Sequence, residues 1–124
     1  MPLFAKSAAA ALLLLGSLLA ACSTPMNDCD APTLGFDLTI TAREMEPSDL
    51  ATCVGNEITI TVTADEHGVF HLHGYDEEAP ATELSAGVSE TIIFTAVRSG
   101  QFIIEFHAGD GEEVELGVLT VNEP

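Results

Sequence analysis

The 124-residue chain has no tryptophan, one tyrosine and only three lysines plus arginines, set against 20 aspartates and glutamates. So little positive charge excludes a nucleic-acid interface, because affinity for a phosphate backbone rests on clustered Lys and Arg. There is no CxxC pair, no phosphate-cradling glycine loop and no nucleophile elbow, which removes the commoner redox, nucleotide and hydrolase sites. The longest apolar stretch, Ala8 to Ala21, is interrupted by Gly16 and Ser17. It is shorter than the roughly 20 residues that a spanning helix needs.

What is present begins with that stretch. Lys6 gives a short basic start, the Ala/Leu run follows, and Leu19-Ala20-Ala21-Cys22 closes it. This is export-signal patterning, to be set aside from fold reasoning. The small-small-Cys ending resembles the lipobox of bacterial lipoproteins. The resemblance implies that residues 1–21 are a signal peptide and that Cys22 becomes an acylated N-terminus. The lipid bilayer is then a partner through Cys22, and the chain is tethered in the cell envelope, facing the periplasm or the cell exterior. One acyl chain binds a bilayer only marginally, so stable anchoring takes more than one.

Residues 22–33 carry Pro25, Asn27, Asp28, Asp30 and Pro32 and read as a flexible acylated tether. Residues 34–124 suffice for one small domain. Beyond the leader only Arg43 and Arg98 oppose all the carboxylates. Such a surface favours cations or a basic envelope protein as partner; adaptation to a salty medium explains the charge equally well. With Cys22 acylated, Cys29 and Cys53 remain. In an exported domain they are expected to form a disulfide, in preference to a thiolate metal site.

From Phe36 onward the hydrophobic period is two. Phe36, Leu38, Ile40 and Ala42 alternate with polar residues, as do Ile58, Ile60, Val62 and Ala64. Val69–His73, Thr91–Val97, Gln101–His107 and Glu113–Val121 continue the pattern, with Gly117 a candidate bulge. Turn signals at Gly55-Asn56, Ser99-Gly100 and Gly109-Asp110-Gly111 separate them. Short strands so punctuated predict an all-β sandwich. Pro47-Ser48-Asp49 suits one helical turn between Glu44 and Cys53. The expected core is Phe36, Leu38, Ile40, Ile58, Ile60, Val62, Phe70, Leu72, Ile92, Phe94, Phe102, Ile104, Phe106, Leu116 and Leu119.

All four histidines fall in two places: His67, His71 and His73, and then His107. Residues two apart on a strand share a face. His71 and His73 therefore lie opposite Phe70 and Leu72, and Glu105 and His107 opposite Ile104 and Phe106. If the two strands are neighbours, three imidazoles and a carboxylate converge, a donor set suited to Cu(II) or Zn(II). The bland alternative is a solvated histidine face. His67, in the Asp65-Glu66-His67-Gly68 turn, is read as solvent-facing, and Asp76 as a carboxylate able to hold an imidazole N–H. Glu112-Glu113 is read as part of a solvated turn.

From Glu57 to Val121 the frame resembles the cupredoxin fold, specifically small exported domains carrying His71-Leu72-His73-Gly74-Tyr75-Asp76. The His-x-His-Gly step also resembles a ligand strand of multicopper oxidases. Gly100, Phe102, Glu105 and His107 match those enzymes' later Gly-x-Phe-x-x-His-x-His segment, with Glu105 in place of its first histidine. The resemblance implies a Greek-key β-sandwich of about seven strands. It also implies copper as the cofactor, with zinc less favoured, held by His71, His73, His107 and Glu105. It departs from the electron-transfer cupredoxins at Ala108–Glu113, which supplies no Cys or Met, so the copper would be non-blue.

The resulting expectation is a membrane-anchored copper-binding domain for metal handling or delivery, with no catalytic residues and no enzymatic activity. The alternative is a metal-free module for protein or ligand interaction in the envelope.

Overall fold

The structure, a computed structural model, describes residues 28–124. The leader and the acylation candidate Cys22 lie outside the described residues. Nine strands follow a short 3-10 turn at Asp28–Asp30: β1 (Thr33–Thr41), β2 (Glu44–Glu46), β3 (Asp49–Cys53), β4 (Glu57–Ala64), β5 (Gly68–Leu72), β6 (Thr82–Leu84), β7 (Glu90–Thr95), β8 (Gly100–Ala108) and β9 (Glu113–Asn122). They form two sheets, ordered β2-β1-β4-β7 and β3-β9-β8-β5-β6. The pairs β1/β4 and β3/β9 are parallel and the remaining pairs antiparallel.

Alternation decides which face is buried. In β4, Ile58, Ile60, Val62 and Ala64 point inward; in β8, Ile104, Phe106 and Ala108 do. The expected core residues all contribute, Phe36 and Phe102 from its edge. It also takes in Met45, Leu50, Leu84, Val121 and the fully buried Tyr75.

Two expectations need correction. Glu44 to Cys53 contains no helical turn. Met45 pairs with Ile40 in β2, and Leu50 with Leu119 in β3. A three-residue and a five-residue strand are too short for a period to be read, and burial of Met45 and Leu50 overrides the helix-start signal. These two strands and β6 bring the six strands read from the alternation to nine.

The Cys29–Cys53 disulfide forms, with Cα atoms 5.0 Å apart. Near Gly117 the register of β9 shifts: Ile104 faces Gly117 while Glu105 faces Glu115, leaving Leu116 as the extra residue. Glycine is required there by crowding, since a Cβ at Gly117 would lie 2.0 Å from the Ser48 carbonyl oxygen.

Both described arginines act as clips between loops. Arg43 bonds Glu66 at 2.9 Å and Asp110 at 2.8 Å, and also reaches Glu112. Arg98 bonds Glu78 at 2.9 Å and lies 4.6 Å from the centre of the Tyr75 ring. The Tyr75 hydroxyl donates to the Arg98 carbonyl at 2.7 Å and accepts from the Arg98 N–H at 3.0 Å. That pair of bonds fixes the turn directly after His73-Gly74 against the β7–β8 connection.

Candidate metal centre

Strands β5 and β8 are neighbours, and their register decides the site. His71 faces Glu105, Val69 faces His107, and the His73 N–H donates to the Ile103 carbonyl at 2.9 Å. Because Phe70, Leu72, Ile104 and Phe106 fill the core, parity sends His71, His73, Glu105 and His107 to the outer face of the five-stranded sheet. The next strand extends the row: Glu113 of β9 faces His107, and Glu115 faces Glu105.

Glu105 lies at the centre. One of its oxygens, Oε2, is 2.7 Å from His73 Nε2 and 3.1 Å from His107 Nε2. The His71 ring centre is 4.4 Å from that of His73 and 5.7 Å from that of His107, the second pair edge-on. The two hydrogen-bonded imidazoles, His73 before His107, hold the Glu105 carboxyl below the usual carboxylate range. Glu105 is therefore an anion at neutral pH, which is what a cation site requires.

His71 is oriented from outside. Its Nε2 lies 2.6 Å from Asp76 Oδ1, and that contact is the main reason the Asp76 carboxyl is also held low. A carboxylate bonded to one ring nitrogen fixes the tautomer and leaves the other nitrogen as a lone-pair donor. Asp76 is carried by the same turn that Tyr75 anchors.

The four expected ligands thus share one face, and metal-ligand atoms fall into two overlapping groups. His71, His73 and Glu105 form one; Glu105, His107 and Glu113 form the other. Within each group the donor atoms lie within 4.8 Å of one another. Imidazole nitrogen and carboxylate oxygen are the donors that suit Cu(II) and Zn(II), so the residues present fit a copper ion. Among the described residues no thiolate is on offer: Cys29 and Cys53 are paired in the disulfide. His67 stands apart, its Nδ1 donating to the Leu84 carbonyl at 3.0 Å on the β6 side. Glu113 is the residue missed from sequence. It reads there as half of a solvated Glu-Glu turn, and only the β8–β9 register sets it beside His107.

No protein-family model matches the chain, and no curated protein matches it. Solved structures do. A laccase from Botrytis aclada is 18% identical, with a TM-score of 0.59 over 74% of this chain and 23% of its own. A blue copper oxidase from Nitrosomonas europaea is 17% identical, with a TM-score of 0.58 over 73% of this chain and 39% of its own. The multicopper oxidase mgLAC is 17% identical, with a TM-score of 0.56 over the same shares. The chain therefore spans at most about two-fifths of these proteins' lengths.

The fold is cupredoxin-like, and two of these three structures are copper oxidases by name. This likeness corrects the expectation that the chain is not an enzyme. The structures sharing its fold are oxidases and a laccase. The expectation rested on the absence of familiar catalytic motifs, and that absence does not bear on a fold shared with enzymes.

Proposed function

We propose that this chain is a lipid-anchored, extracytoplasmic cupredoxin-like domain that binds copper at a non-blue site for metal handling or delivery. His71, His73, His107 and Glu105 are the ligands. The observation that carries the reading is the Glu105 carboxylate, within 3.1 Å of two imidazoles, one just past the end of β5 and one on β8, while a third ring stands beside them.

Copper bound there is coordinated by nitrogen and oxygen and gives Cu(II) without the intense thiolate absorption. The site is open: the His73 side chain is 49% exposed. An open site suits exchange of the ion with another protein, and its solvent side leaves coordination positions free for an external ligand.

The test is copper loading of the purified full chain, followed by elemental analysis and electron paramagnetic resonance. The expected result is stoichiometric Cu(II) with a nitrogen-rich, non-blue spectrum, weakened at least tenfold in affinity by His73→Ala. A chain that stays metal-free at micromolar Cu(II) overturns the reading. The second reading, a module that docks a basic envelope protein, is favoured by the charge: both described arginines are already engaged by carboxylates. Binding to such a partner would weaken with salt and ignore a chelator.

A further inference from the structure

The donor geometry on this face is more than one ion can use. Ligand atoms around a single Cu(II) or Zn(II) sit about 2.0–2.2 Å from it, so two of them are at most about 4.4 Å apart. The donors come from three adjacent strands, β5, β8 and β9. The outer two are separated by two strand spacings, about 9.5 Å. They are correspondingly divided: His71, His73 and Glu105 span β5 and β8, and Glu105, His107 and Glu113 span β8 and β9. Each group is compact enough for one ion after a sub-ångström adjustment. Glu105 belongs to both, and its carboxylate already contacts an imidazole of each group.

We propose that the face binds two divalent ions bridged by Glu105, the first held with His71 and His73, the second with His107 and Glu113. The inference rests on the copper reading above and extends it. A carboxylate has two oxygens and can give one to each ion. The charge supports a pair: Glu105 and Glu113 are ligands, and Asp76, Glu83 and Glu115 lie near them on the β5, β6 and β9 sides. Two imidazoles make the first position the better copper site, while one imidazole and two carboxylates make the second richer in oxygen and weaker. The positions should therefore fill in that order, by copper or by another N/O-binding divalent ion such as zinc.

The experiment is equilibrium dialysis of the full chain against Cu(II), with bound metal counted by elemental analysis and the spin intensity integrated. The expected outcome is two coppers per chain, falling to one in Glu113→Ala and staying at two in Glu57→Gln, an exposed residue of the other sheet. The first equivalent should be fully visible by electron paramagnetic resonance. The second should bring a half-field line or a loss of intensity per copper, as coupling through the carboxylate requires. Glu113 is exposed, so its removal should leave the circular dichroism spectrum unchanged. One copper in both wild type and Glu113→Ala overturns the pair while leaving the copper reading intact. Two coppers that persist in Glu113→Ala, or two magnetically isolated ones, overturn it as well. No bound copper at all removes both readings.

Discussion

Tyr75→Phe isolates one hydroxyl whose work is visible. The ring is fully buried, edge-on to Phe102 at 4.7 Å and tilted against Phe94 at 5.4 Å, and phenylalanine keeps all of that packing. Only two hydrogen bonds are lost, one to the Arg98 carbonyl and one from its N–H. Each is worth about 1 kcal/mol net, and a stranded partner costs about 1–3 kcal/mol when water is excluded. Arg98 is itself exposed, so water can reach its backbone, and the lower figure applies. The sum is about 2 kcal/mol, or a fall in melting temperature of roughly 10 °C for a domain of this size. Urea unfolding followed by circular dichroism measures it, with the slope unchanged because the buried surface is unchanged. Tyr75→Ala, which empties the same space, should cost about 3–5 kcal/mol. The reasoning fails if Tyr75→Phe melts within 2 °C of wild type, for then the turn carrying His73 and Asp76 is held by packing alone.

Other perturbations test other parts. Replacing Cys29 and Cys53 by serine opens a loop of 24 residues and should cost about 3 kcal/mol by chain entropy, seen as a lower urea midpoint. Gly117→Ala sets a methyl against the Ser48 carbonyl and must part β3 from β9, costing about 1–3 kcal/mol or more. Asp76→Asn removes the carboxylate from His71 and should weaken copper binding about tenfold in a competition titration, with little change in stability. Acid should destabilise the metal-free chain in a defined sense. Arg98 holds the Glu78 carboxyl low, and the Glu112 N–H and Arg43 do the same for Asp110. A lowered folded-state value means that the unfolded chain binds the proton first. Stability from these pairs is therefore complete above the ordinary carboxylate range and is lost as pH falls below about 4. A melting temperature flat from neutrality down to pH 3 would show that the arginine clips contribute nothing.

Much of this was legible beforehand because a buried strand face imposes a period of two. Ile58, Ile60 and Val62, or Ile104 and Phe106, show which way each strand faces, and the parity of His71, His73, Glu105 and His107 follows from their neighbours. The short strands β2, β3 and β6 were not legible, since three to five residues hold too little pattern against a turn signal such as Pro47-Ser48-Asp49. Tyr75 escaped as a core residue because alternation stops at Gly74. Glu113 escaped because an acidic residue beside a turn looks the same whether it meets solvent or a histidine. The exclusion of catalysis went wrong for a different reason: absent motifs do not bear on a fold that is shared with enzymes.

By itself the sequence determined the all-β class, the inward and outward faces of the long strands and a strongly acidic composition. Those properties are local, set by side-chain chemistry and by neighbours two residues away. Which strands lie side by side was decided only in three dimensions. The β5–β8–β9 register brings Glu105 between His73 and His107 and adds Glu113. Contacts between distant segments depend on how two sheets close over one core, and no period in the chain records that.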